Sequence, residues 1–313
     1  MSTLNAPPLI MLNPHAGSGK ASHVWDQLRP LLRERLGELS AVTTHHPHDI
    51  APHLRAAAEQ GIDRVIAIGG DGTNHSVINE IIHLNQRQEH LPIRSYGNVP
   101  IGTGRDWARG LGIPINNLSL MADWIVDAKP QPVDIGTLTY HDGHMEYFLN
   151  IASAGLGGDV ATRVDRMGTR RPWTFYAATV ESILAYKPRK LRIKLDGNEW
   201  YEGGVYLVAI ANGTTFGRGM RIAPEAVVDD GMFDVILVKA VSRATILTAF
   251  QRVYSGTHLT HPAVRHARAK RVEIDLIDAA DENDQIKMEL DGEYREGRSL
   301  TFEVRHRMLQ FLR

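Results

Sequence analysis

The 313-residue chain contains no cysteine, which excludes disulfide bonds and thiolate metal sites. It has no apolar run approaching 18 residues, so a membrane-spanning helix is not expected. Its formal net charge is only -1, which does not indicate nucleic acid as a partner or broad electrostatic attachment to a membrane. The first eight residues lack the charged start and apolar core of a signal peptide. We therefore expect a cytoplasmic protein.

The most informative segment follows a short apolar run at residues 65–68, which is typical of a parallel strand covered on both faces. It reads Gly69-Gly70-Asp71-Gly72-Thr73-Asn74, and a helical pattern begins near residue 74. A strand, a glycine-rich turn and a helix let backbone N–H groups approach a phosphate, with Thr73 or Asn74 as the helix cap. The alternative is a tight turn whose glycines only permit close packing.

Residues 8–129 alternate between strand and helix patterns, which predicts an α/β domain with a parallel sheet. Strands are expected at 9–12, 39–44 and 64–68. Helices are expected after residue 20, at 49–60 and at 74–84, and Pro30 should kink or divide the first. Polar turns at 13–20, 69–74 and 100–109 should meet beyond the carboxyl ends of the strands, where α/β sheets bind ligands. Their convergence predicts a nucleotide site.

The pattern changes after Pro130, where a mainly antiparallel β-sandwich domain is predicted over residues 130–313. The last residues could return to the first domain, which spans 1–129. Asp196-Gly197-Asn198 predicts a hairpin turn. Helices are expected near 174–186 and 242–254. The predicted strands lie at 133–138, 147–152, 190–195, 204–211, 232–238, 271–277, 285–290 and 299–304.

Five motifs, in order, resemble the diacylglycerol kinase catalytic family, in particular bacterial soluble lipid kinases related to sphingosine kinases. They are Asn13-Pro14 with Gly17-Ser18-Gly19, Gly69-Gly70-Asp71-Gly72-Thr73, Pro100-Ile101-Gly102-Thr103-Gly104 with Asp106, Asp229-Asp230-Gly231, and Asp291-Gly292-Glu293. The resemblance implies an α/β nucleotide domain followed by a β-sandwich. It also implies transfer of the ATP γ-phosphoryl group, with magnesium, to a lipid alcohol such as diacylglycerol at a membrane surface. Members of the family often form homodimers; the sequence leaves the oligomeric state open.

The resemblance also assigns roles to individual residues. Glu293 would be the general base that accepts the lipid hydroxyl proton, the alternative being an exposed residue of an Asp-Gly hairpin. Asp71 would organise the nucleotide site, with catalysis or magnesium contact as alternatives. The nucleotide would contact Thr44, Gly69, Gly70, Asp71, Gly72, Thr73, Asn74, His75 and Thr103.

The same resemblance implies a second magnesium ion, bound by the Asp230 carboxylate and the backbone carbonyls of Val227 and Met232. Carboxylate and carbonyl oxygens suit such a hard cation. The alternative interpretation of this segment is a plain β-turn before a strand.

The chain departs from the family pattern at two positions, with Arg105 in place of asparagine and Trp107 in place of phenylalanine. Arg105 could pair with a phosphate or a lipid headgroup, or point to solvent. NAD kinase, which shares the Gly-Gly-Asp-Gly-Thr segment, and a non-catalytic nucleotide or lipid sensor remain alternatives. Residues 163–173, with four arginines and a tryptophan, are a candidate membrane-contacting loop or an ordinary solvated one.

Overall fold

The computed structural model describes residues 7–87, 92–102, 104–167, 172–281 and 283–313. The chain forms two compact units, with a boundary between Val133 and Asp134. The first unit contains the residues up to Val133 together with Arg307–Arg313, and the second contains Asp134–His306. None of the helices in the described ranges is both long enough and apolar enough to cross a membrane.

The first unit alternates strands and helices as predicted. Its strands are β1 (Leu9–Leu12), β2 (Ser40–Thr43), β3 (Arg64–Gly69) and β4 (Ser95–Pro100), and its helices are α1 (Lys20–Leu36), α2 (Ile50–Glu59), α3 (Asp71–Arg87), α4 (Asp106–Gly110) and α5 (Leu118–Asp127). The strands are parallel in the order β4-β3-β1-β2. Their carboxyl ends therefore lie at one edge of the sheet.

Burial on both faces explains the apolar character of these strands. Ile10, Ile66 and Val99 are at most 1% exposed and pack in one core with Leu28 of α1 and Ala122 of α5. Each aliphatic side chain buried in this way contributes about 1.5–3 kcal/mol relative to an exposed one. At the end of the chain, Phe311 pairs in parallel with Tyr96 of β4.

Two local predictions in the first unit differ from the structure. The division of α1 at Pro30 does not occur, because Leu28 and Leu32 on either side are fully buried and hold both turns against the core. Helix α3 begins at Asp71 instead of residue 74, because Asn74 N already donates to the Gly70 carbonyl at 3.0 Å. Thr73 and Asn74 thus lie inside the first turn and do not cap the helix.

The second unit is mainly antiparallel. Its strands are β5 (Pro130–Tyr140), β6 (Met145–Phe148), β7 (Ile151–Gly155), β8 (Arg189–Leu195), β9 (Asn198–Ala211), β10 (Phe233–Lys239), β11 (Val264–Ala269), β12 (Arg271–Leu276), β13 (Ile286–Leu290), β14 (Glu293–Gly297) and β15 (Ser299–Leu312). They pair in the order β14-β13-β7-β9-β8-β12-β15, and β10 pairs with β9 and β11. Helices α6 (Leu156–Arg166), α7 (Pro172–Ala185), α8 (Arg243–Phe250) and α9 (Arg252–Ser255) interrupt the strands.

Three aromatic rings pack together in the largely aliphatic core of this unit. The Phe148 ring stacks on Phe233 at a centroid distance of 5.7 Å and meets Phe302 edge-on at 6.2 Å. All three rings have no exposed surface. The Phe148 ring lies against Gly136 of β5 so closely that a Cβ there would collide with it. An antiparallel sheet around a shared apolar core confirms the predicted fold class.

Several elements of the second unit differ from prediction. The strand expected at 147–152 is two strands, β6 and β7, because the amides of Leu149 and Asn150 bind the Asp291 carboxylate instead of a neighbouring strand. The helix expected over 242–254 is divided into α8 and α9. Strand β11 and helix α6 were not predicted.

The candidate membrane loop also begins differently from the prediction. Residues 163–166 belong to helix α6, and Arg163 forms ion pairs with Asp159 and Glu181. These carboxylates neutralise the arginine locally, so it is not available as a membrane-binding charge. Residues 168–171 and the side chain of Trp173 lie outside the described residues.

Candidate nucleotide, catalytic and metal sites

The three polar turns of the first unit meet at the carboxyl edge of its sheet, as the sequence predicted. Asn13, after β1, donates from Nδ2 to Thr73 Oγ1 at 2.9 Å. Ile101, after β4, donates its backbone N–H to the Gly69 carbonyl at 2.8 Å. Arg105 N donates to Asp71 Oδ2 at 3.1 Å. Three separate chain segments thereby form one continuous patch of backbone.

Glycine is required where these turns touch. A Cβ on Gly102 would lie 3.1 Å from the Gly70 Cα, and one on Gly104 would lie 2.5 Å from Asp71 Oδ2. A Cβ on Gly69 would collide with the Thr73 side chain. The close-packing interpretation of these glycines is therefore correct. It is compatible with phosphate binding, because the same absence of side chains leaves backbone N–H groups approachable.

The beginning of α3 supplies favourable electrostatics at this patch. The amides of the first turn have no acceptor within the helix, and the aligned peptide dipoles place partial positive charge there. Asp71 is the first residue of α3, and its carboxylate fixes the turn before α4 through the amide of Arg105. An organising role for Asp71 requires a contact of this kind. The arrangement is chemically suited to an anion such as a nucleotide phosphate.

The remaining predicted nucleotide residues lie beneath this edge. Thr44 is 6% exposed and donates both its N–H, at 2.8 Å, and its hydroxyl, at 3.3 Å, to the Leu12 carbonyl. The Asn74 side chain is buried and accepts a 2.6 Å hydrogen bond from the Tyr96 hydroxyl. His75 is also buried. The Thr44 and Asn74 side chains thus link neighbouring segments at this edge. Thr103 lies outside the described residues.

The Arg105 side chain is bound to the loop at residues 115–116 instead of extending into solvent. Its Nη1 donates to the Ile115 carbonyl at 2.7 Å and to Asn116 Oδ1 at 3.0 Å. Burial lowers the pKa of the Arg105 guanidinium, as does Arg109, while Asp71 opposes the shift. Its backbone is left-handed, with φ at 57°. The second departure, Trp107, is 2% exposed and packs edge-on against Phe311 at 5.5 Å, so an apolar anchor is retained.

In the second unit, Glu293 begins β14 at the end of a tight hairpin from β13. Asp291 and Gly292 both have positive φ, 51° and 91°, as a two-residue Asp-Gly hairpin turn requires. The Glu293 side chain is exposed. Its position thus agrees with the hairpin interpretation, and exposure also leaves the carboxylate accessible to a substrate hydroxyl.

Side chains beneath the turn hold this hairpin rigidly. The buried Asp291 carboxylate accepts backbone hydrogen bonds from Leu149, Asn150 and Ile151 at 2.7–3.2 Å. Glu289 accepts from the Gly292 amide at 3.0 Å and from the Ser153 hydroxyl at 3.1 Å. Hydrogen bonds to a charged acceptor are about twice as strong as neutral ones, so the backbone before Glu293 is well fixed.

The Asp229-Asp230-Gly231 segment forms a turn before β10. Asp230 accepts the Met232 amide on Oδ1 at 3.0 Å, and its Oδ2 pairs with Arg268 of β11. Asp134 of β5 holds the other side of the turn: its N–H donates to the Val228 carbonyl and its Oδ2 accepts the Gly231 amide, both at 2.7 Å. The β-turn interpretation is therefore correct, and it does not conflict with a metal role.

The donor set of this turn suits a hard cation, since a carboxylate and two backbone carbonyls provide only oxygen ligands. Within the described ranges, no three histidine, aspartate or glutamate side chains cluster in a way that could hold a metal. The proposed site at the turn before β10 is not such a cluster, because it would use one carboxylate and two backbone carbonyls. Arg268 already supplies positive charge to Asp230, so a cation bound there would compete with it.

The sequence motifs did not indicate the role of three residues that hold these turns. They are Asp134, Arg268, and Asp291, which was expected only as part of the Asp-Gly-Glu motif. Asp134 has no exposed surface and sits between fully buried Val133 and Ile135. A single carboxylate within an apolar strand could have identified Asp134 from the sequence, because a buried charge needs hydrogen-bond or ion-pair partners. Arg268 belongs to a strand that was not predicted, and no pattern in the sequence marks it.

Comparison with known proteins places these sites in a family. Residues 7–138 match the diacylglycerol kinase catalytic domain, and residues 150–313 match the YegS C-terminal NAD kinase beta sandwich-like domain. The chain belongs to the diacylglycerol kinase family. This is a family of lipid kinases, and its two domain types correspond to the predicted α/β and β-sandwich folds.

Curated relatives and solved structures are similar to this chain over most of its length. A diacylglycerol kinase of Bacillus subtilis is 27% identical over 91% of this chain and 89% of its own length. One from Mycobacterium tuberculosis is 28% identical over 85% of this chain and 84% of its own. A crystal structure of a diacylglycerol kinase from Bacillus anthracis has a TM-score of 0.72 at 23% identity, covering 99% of this chain and 98% of that one.

Proposed function

We propose that this family member transfers the γ-phosphoryl group of ATP to a hydroxyl of a lipid such as diacylglycerol, with magnesium. The observation that carries the proposal is the meeting of three glycine turns at the edge of the first unit's sheet, where Asn13 bonds Thr73 and Asp71 bonds Arg105. Phosphoryl transfer depends mainly on positioning and charge stabilisation. A rigid patch of backbone donors next to a helix N-terminus provides both.

Each proposed site residue has a role that follows from its place. The backbone of Gly69, Gly70, Asp71, Gly72, Thr73, Asn74 and His75 binds the phosphates, and Thr44 is a further nucleotide contact. Thr103 is proposed as a further nucleotide contact. Glu293 accepts the proton of the lipid hydroxyl through its exposed carboxylate, which the anchored Asp291 turn keeps in position.

Magnesium has two proposed roles. With ATP, it offsets the charge that develops on the phosphoryl oxygens. At the turn before β10, the Asp230 carboxylate and the carbonyls of Val227 and Met232 would hold a second, structural ion. A soluble dinucleotide acceptor is the less favoured alternative, because the relatives described above are named diacylglycerol kinases.

The test is phosphoryl transfer from γ-labelled ATP, with magnesium, to a panel of lipid alcohols in mixed micelles, with NAD as a parallel acceptor. Diacylglycerol, a sphingoid base and phosphatidylglycerol cover the main classes of lipid hydroxyl. We expect a labelled lipid with the wild-type chain and a loss of at least about a hundredfold in kcat for Glu293→Gln, since general base catalysis contributes about 10²–10⁴.

Glu296→Gln is the matched control, because Glu296 is an exposed glutamate on the same strand. It should retain wild-type turnover. Both variants should keep the wild-type unfolding midpoint, since neither side chain is buried. Labelled NADP instead of a labelled lipid would move the chain to the dinucleotide alternative. Undiminished transfer by Glu293→Gln would remove Glu293 from the mechanism.

A further inference from the structure

Residues 235–272 contain seven lysines and arginines and no aspartate or glutamate. This imbalance is local, because the chain as a whole has 35 basic and 36 acidic residues. The segment includes α8 and α9, whose Arg243 and Arg252 are exposed. Arg268 and Arg271 are paired with carboxylates that lie outside the segment in sequence. The positive charge at the surface of α8 and α9 therefore comes from the exposed Arg243 and Arg252.

Aromatic side chains line the same helices. The Phe250 ring of α8 lies 5.9 Å from the Tyr176 ring of α7 and 5.9 Å from the Tyr254 ring of α9. Tyr176 is 46% exposed and Tyr254 is 39% exposed. On α7, Leu184 is a further exposed apolar side chain at 49%. The three rings therefore form a continuous apolar ridge with its two ends in solvent.

The loop beside this ridge adds positive charge. The Arg218 guanidinium lies 5.6 Å from the centre of the Phe175 ring. Phe175 directly precedes Tyr176 in the chain. Arg221 N donates to the Val253 carbonyl at 3.0 Å, which fixes the loop to α9. The acidic residue of α7, Glu181, is paired with Arg163. Residues 214–223 contain no acid of their own.

We propose that the ridge of Tyr176, Phe250 and Tyr254, with Arg243 and Arg252, is the surface by which the protein binds an anionic lipid bilayer. The inference rests on the proposed function, since a kinase acting on a membrane lipid has to reach its substrate there. Tyrosine rings are enriched at the level of lipid headgroups, and nearby arginines attract anionic lipids. Charge complementarity favours a negatively charged bilayer as the occupant.

The decisive measurement is co-sedimentation of the full chain with vesicles, without ATP or substrate. Vesicles of phosphatidylcholine alone are compared with vesicles of equal parts phosphatidylcholine and phosphatidylglycerol. The wild-type chain should bind the anionic vesicles. The double variant Arg243→Glu/Arg252→Glu should bind roughly twentyfold more weakly, because each basic residue near such a surface contributes about fivefold in affinity. Tyr176→Ser/Tyr254→Ser should weaken binding even at high salt, where the apolar contribution persists.

The matched control is Arg29→Glu/Arg55→Glu, which reverses two exposed arginines on α1 and α2. It should bind vesicles like the wild type, and unfolding midpoints should be equal for all four proteins. Equal vesicle affinity of the wild type and the Arg243/Arg252 variant would overturn the proposal. A change in the sedimentation of the protein alone, without a change in vesicle binding, would also overturn it and make the ridge an interface between copies.

A second experiment separates failure of the proposed kinase function from failure of the membrane proposal. It measures phosphoryl transfer in detergent micelles, where no bilayer is needed. Transfer to micellar diacylglycerol should be equal in the wild type and the arginine variants. Absence of transfer in the wild type would contradict the kinase proposal, while the vesicle result would still decide what the ridge binds.

Discussion

Arg105 adopts a backbone conformation that its side chain does not favour. Its φ of 57° is left-handed, where asparagine is tolerated better than other residues with a Cβ. Asparagine is also what the family pattern has at this position. The guanidinium compensates through its two hydrogen bonds to the 115–116 loop. The chain thus keeps the turn by a side-chain contact instead of by backbone preference.

This compensation predicts an order of stability among variants. Arg105→Lys loses the two-acceptor geometry of the guanidinium and keeps the unfavourable backbone, so its free energy of unfolding should fall by about 1–2 kcal/mol. Arg105→Asn loses the same contacts but recovers part of the backbone cost, and it should be more stable than the lysine variant. Urea unfolding of the three proteins gives the comparison. A lysine variant as stable as the wild type would contradict this account.

At the scale of elements, the predictions succeeded where periodicity was strong. Strand β1 has the predicted bounds, β3 is longer than predicted by one residue, and α2 is shorter by one residue at each end, because buried apolar residues repeat at the expected spacing. The Asp196-Gly197 hairpin also formed, with both residues at positive φ. Long-range polar contacts account for the division of the strand at 147–152. The Asp291 carboxylate that interrupts it lies about 140 residues away in sequence.

A buried histidine gives one element a pH-dependent stability. His258, in the 3₁₀ turn Thr257–Thr260, is 3% exposed, and its Nε2–H donates to the Ile222 carbonyl at 2.9 Å. Burial lowers the pKa of His258 below its usual 6.5, and the carbonyl only partly opposes this shift. Below pH 6.5 the unfolded chain binds a proton that the folded chain resists, so the His258 contribution to stability falls as pH falls.

The variant His258→Gln should remove this dependence, because glutamine can donate to the same carbonyl and does not titrate. From about pH 7.5 to about pH 5.5, the free energy of unfolding should decrease less for the variant than for the wild type. His141→Gln, at an exposed turn, is the control and should follow the wild type. Parallel curves for all three proteins would show that His258 is protonated as easily in the folded chain as in the unfolded one.

For the whole molecule, residue type and order in the sequence indicate the candidate site residues, but they do not indicate the long-range contacts that hold those residues in place. Turn glycines and motif carboxylates such as Asp71 and Asp230 can be recognised in the sequence by their residue type and their order. Arg268 cannot, because it becomes a partner of Asp230 only when β11 pairs with β10. Charge pairs between distant segments are set by strand register, which no local pattern encodes.

The division into two units also separates the proposed ligands. The proposed phosphate-binding residues belong to the first unit, whereas Val227, Asp230 and Met232 belong to the second. Amide hydrogen exchange should therefore distinguish the binding of ATP from the binding of the second magnesium ion. ATP without metal should slow exchange at 69–75, because ligand binding suppresses local opening there. Magnesium without ATP should slow exchange at 227–233.

Arg268 provides the means to test the second ion directly. In the folded chain the guanidinium occupies one oxygen of Asp230, at a pair whose side chains are 45% and 28% exposed. Such a pair is worth about 0.2–1 kcal/mol, so Arg268→Gln should tighten magnesium binding by up to about fivefold, measured as the concentration that half-protects residues 227–233. Asp230→Asn should abolish that protection and leave the ATP effect at 69–75 intact. If Arg268→Gln weakens the magnesium effect, the arginine supports the turn and does not compete for it.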